Sequence, residues 1–138
     1  MVSGTIQIRV RYAETDQMQY AYYGHYAQYF EMGRTDLIRS LGITYRQMED
    51  NWGIMLPVRE LNISYRKPAR YDDLIEIRST LRTLPGASIK IEHEVRNEEN
   101  ELLTTGHVVL VFVDRHTMRP VRAPEAFLTA MKSKWVDE

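Results

Sequence analysis

Apolar and polar residues alternate from Ile6 to Arg11, with Ile6, Ile8 and Val10 set against Gln7, Arg9 and Arg11. That is the period-two signature of a half-buried strand. After Gly24 the period changes. Tyr26, Phe30, Gly33 or Arg34, Leu37 and Leu41 recur at three- and four-residue intervals, which is one face of a helix of about four turns. Gly42 stands where a left-handed cap would end that helix. Thr44, with Gln47 three residues on, predicts a short second helix over 44–50, closed by Gly53. Alternation then returns in Ile54–Tyr65, Leu74–Leu84, Ser88–Arg96 and Leu102–Val113, with Pro57 confining the start of the first to an edge or a bulge. A turn over 68–73, Pro85-Gly86 and an acidic loop over 97–101 separate these strands. Val108–Val113 is apolar on both faces, which places that strand centrally. Arg115–Arg122 is a basic loop or short hairpin, and Pro124 opens a last helix carrying Phe127, Leu128 and Met131.

Strands joined by short turns pair antiparallel, and a single long amphipathic helix covers one face of their sheet. The expectation is an α+β fold, an antiparallel sheet wrapped around one central helix, as a single domain over residues 1–138. Composition narrows the function. A formal net charge of −1 gives no reason to expect nucleic acid as a partner. No apolar run approaches the ~20 residues of a membrane span, and the N-terminus lacks a signal-peptide core. The chain has no cysteine, which removes disulfides, thiolate metal sites and a cysteine nucleophile, and makes the cytoplasm the default compartment. The four histidines are too scattered for a local metal motif, so no metal site is expected.

The candidate chemistry lies between the first strand and the long helix. Asp16 falls there, close to a helix end that offers free N–H groups and partial positive charge. Such a carboxylate is either a turn or capping residue, or one half of a catalytic pair whose other half is the set of amides holding an oxyanion. Six of the nine tyrosines fall between Tyr12 and Tyr29. Tyr20 and Tyr22, in the connection, are candidates for a pocket wall, whereas Tyr26 and Tyr29 read as core. Arg66, Lys67, Arg115, Arg119 and Arg122 either meet phosphates or form a solvated surface.

Tyr12-Ala13-Glu14-Thr15-Asp16, Tyr23-Gly24-His25-Tyr26, Phe30-Glu31, Gly33-Arg34, Leu56-Pro57-Val58, Tyr65-Arg66-Lys67-Pro68-Ala69, Asp73 and Val111-Phe112-Val113-Asp114 resemble hotdog-fold acyl-CoA thioesterases. The nearest type is the 4-hydroxybenzoyl-CoA thioesterase group, including the Tol–Pal-associated enzymes. The resemblance implies an acyl-CoA substrate, no cofactor beyond the coenzyme A of that substrate, and a homodimer or homotetramer with the active site across the dimer interface. It makes Asp16 the nucleophile or general base and the Tyr23 backbone N–H the oxyanion donor. It places Tyr12 beside the carboxylate, where the residue alone reads equally as an aromatic at the sheet rim. Tyr23 stands where many Tol–Pal-associated members carry histidine, and Gln19 where the family usually has glycine. His25 either substitutes for the absent histidine or makes a structural hydrogen bond at the helix start, and Gly24, His25, Tyr20, Tyr22, Arg66 and Lys67 are the candidate substrate-binding residues. Glu31 lies within the helix, where a related hotdog subgroup carries its catalytic glutamate, and is read here as a structural partner of a nearby arginine. A non-catalytic acyl-CoA-binding protein and a hotdog enoyl-CoA hydratase are the competing classes.

Overall fold

The computed structural model describes residues 1–137. Its elements run β1 (Val2–Arg9), a 3-10 turn (Tyr12–Glu14), α1 (His25–Ser40), α2 (Tyr45–Trp52), β2 (Ile54–Met55), β3 (Val58–Tyr65), β4 (Leu74–Leu81), β5 (Ser88–Arg96), β6 (Leu102–Val111), β7 (Val113–Asp114) and α3 (Glu125–Ser133). Five strands form one antiparallel sheet in the order β1-β4-β5-β6-β3. The expected strand over 54–65 divides at Pro57, because proline cannot donate to a ladder. Its first piece, β2, leaves the sheet and pairs with β7. The most apolar strand, β6, lies inside the sheet but next to its edge, and the central position belongs to β5. Both faces of β6 are still covered over Val108–Leu110, as its composition requires.

The long helix carries the expected stripe: Tyr26, Phe30, Gly33 and Leu37 are buried, joined by Tyr29 and Ile38. Each fully buried side chain of this size contributes roughly 1.5–3 kcal/mol. Gly33 sits in that stripe because a Cβ there would come within 2.5 Å of Ser79 Oγ, so the missing side chain lets α1 descend onto β4. Gly42 (φ +85) and Gly53 (φ +64) take the left-handed conformation that ends each helix. The Thr44 hydroxyl accepts the Gln47 N–H at 3.0 Å as the N-cap of α2. At the other end of the sheet, α3 packs Phe127 edge-on against Phe112, with ring centroids 5.4 Å apart. Among the described residues no helix is long and apolar enough to cross a membrane.

Candidate active site

Residues 15–21 form a small hairpin between β1 and α1. The Asp16 N–H donates to the Tyr20 carbonyl and the Gln19 N–H to the Asp16 carbonyl, both at 2.9 Å. Thr15 bridges to Ala21, and the returning arm is pinned from outside where the Ala21 N–H donates to the Ala69 carbonyl at 2.8 Å. Gln19 takes the left-handed conformation (φ +67) that closes the turn, one that a glycine would adopt without strain. Asp16 is half-buried. Its Oδ1 accepts from the N–H groups of Met18 (2.9 Å) and Tyr20 (3.4 Å). Its Oδ2 accepts nothing among the described residues. The turn-former reading and the chemical reading of Asp16 are therefore compatible: one oxygen fixes the side chain and the other is left over.

The helix begins beside this turn. The His25 N–H donates to the Tyr22 carbonyl at 2.9 Å, and the Tyr26 N–H reaches the Tyr23 carbonyl at 3.4 Å. The N–H groups of Tyr23 and Gly24 donate to no backbone acceptor among the described residues. Gly24 is in ordinary helical conformation, so its smallness serves space: a Cβ would lie 2.7 Å from the Tyr22 ring folded over it.

Asp16 and Tyr23 line one cleft of about 270 Å³, which Tyr20, Tyr26 and Tyr65 also wall. The Tyr65 hydroxyl donates to the Tyr23 carbonyl at 2.8 Å. Its ring meets those of Tyr23 and Tyr26 edge-on, at 6.4 and 5.3 Å between centroids. Burial pushes the Tyr26 and Tyr65 phenols up, so both remain protonated donors over the working pH range. Arg66 and Lys67 reach the cleft rim, with Lys67 already ion-paired to Glu101.

Other sequence candidates fall elsewhere. Tyr12 is 78% exposed, and its ring packs edge-on against Tyr71 rather than on the cleft. Tyr22 covers Gly24 and Tyr23 and does not line the cavity, while Tyr26, read as plain core, does. His25 Nδ1 is paired with the Gln28 amide oxygen at 3.0 Å. Arg115 donates to the Glu49 carbonyl at 2.9 Å, and neither it nor Arg119 or Arg122 borders this cleft. Glu31 is exposed and makes no ion pair among the described residues, so the expected arginine partner is absent: Arg34, three residues on, buries its Nε. Besides Tyr26, the sequence reading passed over Tyr65 in the cleft wall and the buried Glu14 behind it. Tyr65 had a signal, since it stands at the strand end before Arg66. Glu14 had none, because a buried glutamate is invisible until its partners are known.

The thioesterase-like superfamily profile matches residues 10–131, which includes every wall of this cleft. The chain belongs to that superfamily. Among its relatives, YneP of Bacillus subtilis, provisionally named an acyl-CoA thioesterase, is 35% identical over 121 residues, 88% of this chain and 87% of its own. YbgC of Escherichia coli, an acyl-CoA thioester hydrolase, is 29% identical over 125 residues, covering 91% of this chain and 92% of its own. A DHNA-CoA thioesterase from Staphylococcus aureus superposes with a TM-score of 0.86 at 33% identity, covering 96% of this chain and 95% of that one. The sheet curled on α1 is thus the hotdog arrangement of this thioesterase superfamily.

Proposed function

We infer that this thioesterase-family chain hydrolyses an acyl-CoA thioester to a carboxylic acid and coenzyme A, with Asp16 as the reacting carboxylate. The observation that carries the reading is the pairing, in one cleft, of a held carboxylate with a spare oxygen and a helix start whose first amides are unused. A thioester needs little activation. What remains is to bring a nucleophile to ~3 Å from the carbonyl carbon and to stabilise the oxyanion. The Tyr23 and Gly24 N–H groups, with the partial charge of the α1 terminus behind them, supply that stabilisation. On the base route Asp16 takes a proton from water as the oxygen bonds to carbon. The tetrahedral oxyanion then collapses, the C–S bond breaks, and the thiolate recovers the proton. On the nucleophilic route Asp16 itself bonds to carbon and expels the thiolate, and water then hydrolyses the mixed anhydride. Coenzyme A is part of the substrate and water is the only co-reactant. Tyr20, Tyr23, Tyr26 and Tyr65 accommodate the acyl group, and Arg66 with Lys67 meets the phosphates of the carrier.

The test is thiol release from a panel of acyl-CoAs by the wild type and Asp16→Asn. Losing the carboxylate should cut turnover by about 10² or more while leaving substrate binding in place. Equal rates in the two proteins would refute the role of Asp16, and binding without thiol release in the wild type would favour the non-catalytic binder.

A second copy completes the assembly in this reading. The outer edge of β3 is unpaired, and Val58, Leu61 and Tyr65 are exposed along it with no lysine or proline to blunt it. Self-pairing of two β3 strands makes one continuous sheet in a homodimer, and two dimers make the homotetramer. Leu61→Lys should then lower the mass seen by light scattering, and an unchanged or monomeric wild type argues against the edge.

A further inference from the structure

Glu14 is the one acidic residue buried among the described residues, at 8% exposure. Its Oε1 accepts the Arg11 N–H at 2.9 Å and the Tyr29 hydroxyl at 3.0 Å, and its Oε2 accepts Arg11 Nε at 3.1 Å. Arg11 Nη2 completes the ion pair at 3.0 Å. Arg11 follows β1, whereas Tyr29 belongs to the second turn of α1 and is 1% exposed. The backbone of the same residue holds the other side of the connection, because the Glu14 carbonyl accepts the Tyr22 N–H at 2.8 Å. One residue therefore ties the way into the Asp16 hairpin, the way out of it and the helix together. Burial alone would raise the Glu14 carboxyl, but the hydrogen bonds from Arg11 and Tyr29 outweigh it and hold the group below its ordinary value, so the tether is charged at neutral pH.

We propose that Glu14 and Tyr29 are a positioning pair, which fixes how far the Asp16 carboxylate stands from the amides at the start of α1. Neither residue lines the cleft, so they act on chemistry only through Asp16. The inference rests on the reading of Asp16 given above. Its physical basis is the steepness of rate with geometry, since a displacement of about 1 Å at a reacting group costs on the order of 10² in turnover. Without the side-chain tether the hairpin keeps its own turn bonds, the Glu14–Tyr22 backbone bond and the Ala69 contact, yet loses its one direct bond to the body of α1.

The experiment uses the full chain and an acyl-CoA that the wild type cleaves, at a temperature where thermal melts show every variant folded. Tyr29→Phe is nearly isosteric and removes only the hydroxyl. It and Glu14→Ala should each lower kcat about tenfold or more, with KM changed less than about threefold. The double variant should be no slower than the worse single one, because both cut the same link. Glu14→Gln keeps an amide oxygen where Oε1 accepts from Tyr29 and Arg11, and should recover most of kcat. A Tyr29→Phe enzyme with wild-type kcat overturns the proposal, as does a change confined to KM or a double variant showing the product of the single effects. Asp16→Asn run alongside separates the two ideas. If it is inactive while Tyr29→Phe is unimpaired, positioning fails and Asp16 stands; if it is fully active, the premise itself has failed.

Discussion

His93 makes the stability of this chain depend steeply on mild acid. The imidazole is 1% exposed in the middle strand, stacked on Phe30 at 4.5 Å between ring centroids and 18° between planes. Its Nδ1 is hydrogen-bonded to Ser79 Oγ at 2.9 Å, while its Nε2 has no partner among the described residues. A second proton would place charge on a buried ring that makes no ion pair among the described residues. Burial first, and then the nearby Arg34 charge, push its pKa from 6.5 down to about 3. The folded state therefore keeps His93 neutral where the unfolded chain protonates it. Between those two values the unfolded state holds more protons, so stability is fully present above about pH 6.5 and falls as pH drops toward 3. At ~1.36 kcal/mol per unit, this one residue costs about 3 kcal/mol on going from pH 7 to pH 4.5, and on the order of 5 kcal/mol by pH 3. Marginal domains have only about 5–15 kcal/mol to lose. The assay is urea unfolding at half-unit steps from pH 7 to 4.5, comparing the wild type with His93→Gln. Glutamine can still bond Ser79 but does not titrate, so its lost stacking is a constant offset and the slopes isolate the proton. The wild-type curve should fall more steeply, by roughly 1.4 kcal/mol per unit near pH 5. Parallel curves would refute the reasoning, since they would mean that a proton enters the folded site at no cost.

Gly106→Ala should destabilise the chain by about 1–3 kcal/mol in urea unfolding, because its Cβ would lie 2.2 Å from the Asn62 carbonyl of the neighbouring strand and 2.6 Å from the Phe30 ring. Gly86→Ala, with nothing within 4 Å, is the control, and equal losses at both sites would contradict the packing argument. Gln19→Gly relieves a left-handed residue (φ +67) at the cost of a more flexible unfolded chain, for a net gain of about 0.5 kcal/mol. A fall in melting temperature of several degrees would show that the glutamine side chain itself supports the Asp16 turn.

What could be read from the sequence divides along a physical line. Features set by local backbone energetics were legible: the helix stripe from Tyr26 to Leu37, the left-handed glycines at 42 and 53, the Thr44 cap and the break at Pro57 all follow from a few neighbouring residues. Strand order was less so. The apolar run in β6 correctly signalled two covered faces, but one of its neighbours is the edge strand β3, and no composition distinguishes second-from-edge from central. Side-chain destinations were the least legible. Tyr22 and Tyr26 stand four residues apart, yet the first folds back over Gly24, where a Cβ would lie 2.7 Å from its ring, and the second reaches the cleft. Glu14 lies only two positions before Asp16 and reads as another polar residue of a turn. Its burial becomes sensible once Tyr29, fifteen residues on, is seen to send its hydroxyl back to it. A buried carboxylate lacking such partners would be costly enough to expel from the fold. The Arg11 bonds, and after them the Tyr29 hydroxyl, make Glu14 tolerable inside the protein. That hydroxyl also ties the Asp16 turn to the helix, so under the proposed function the stability of this connection and the placement of Asp16 are set together.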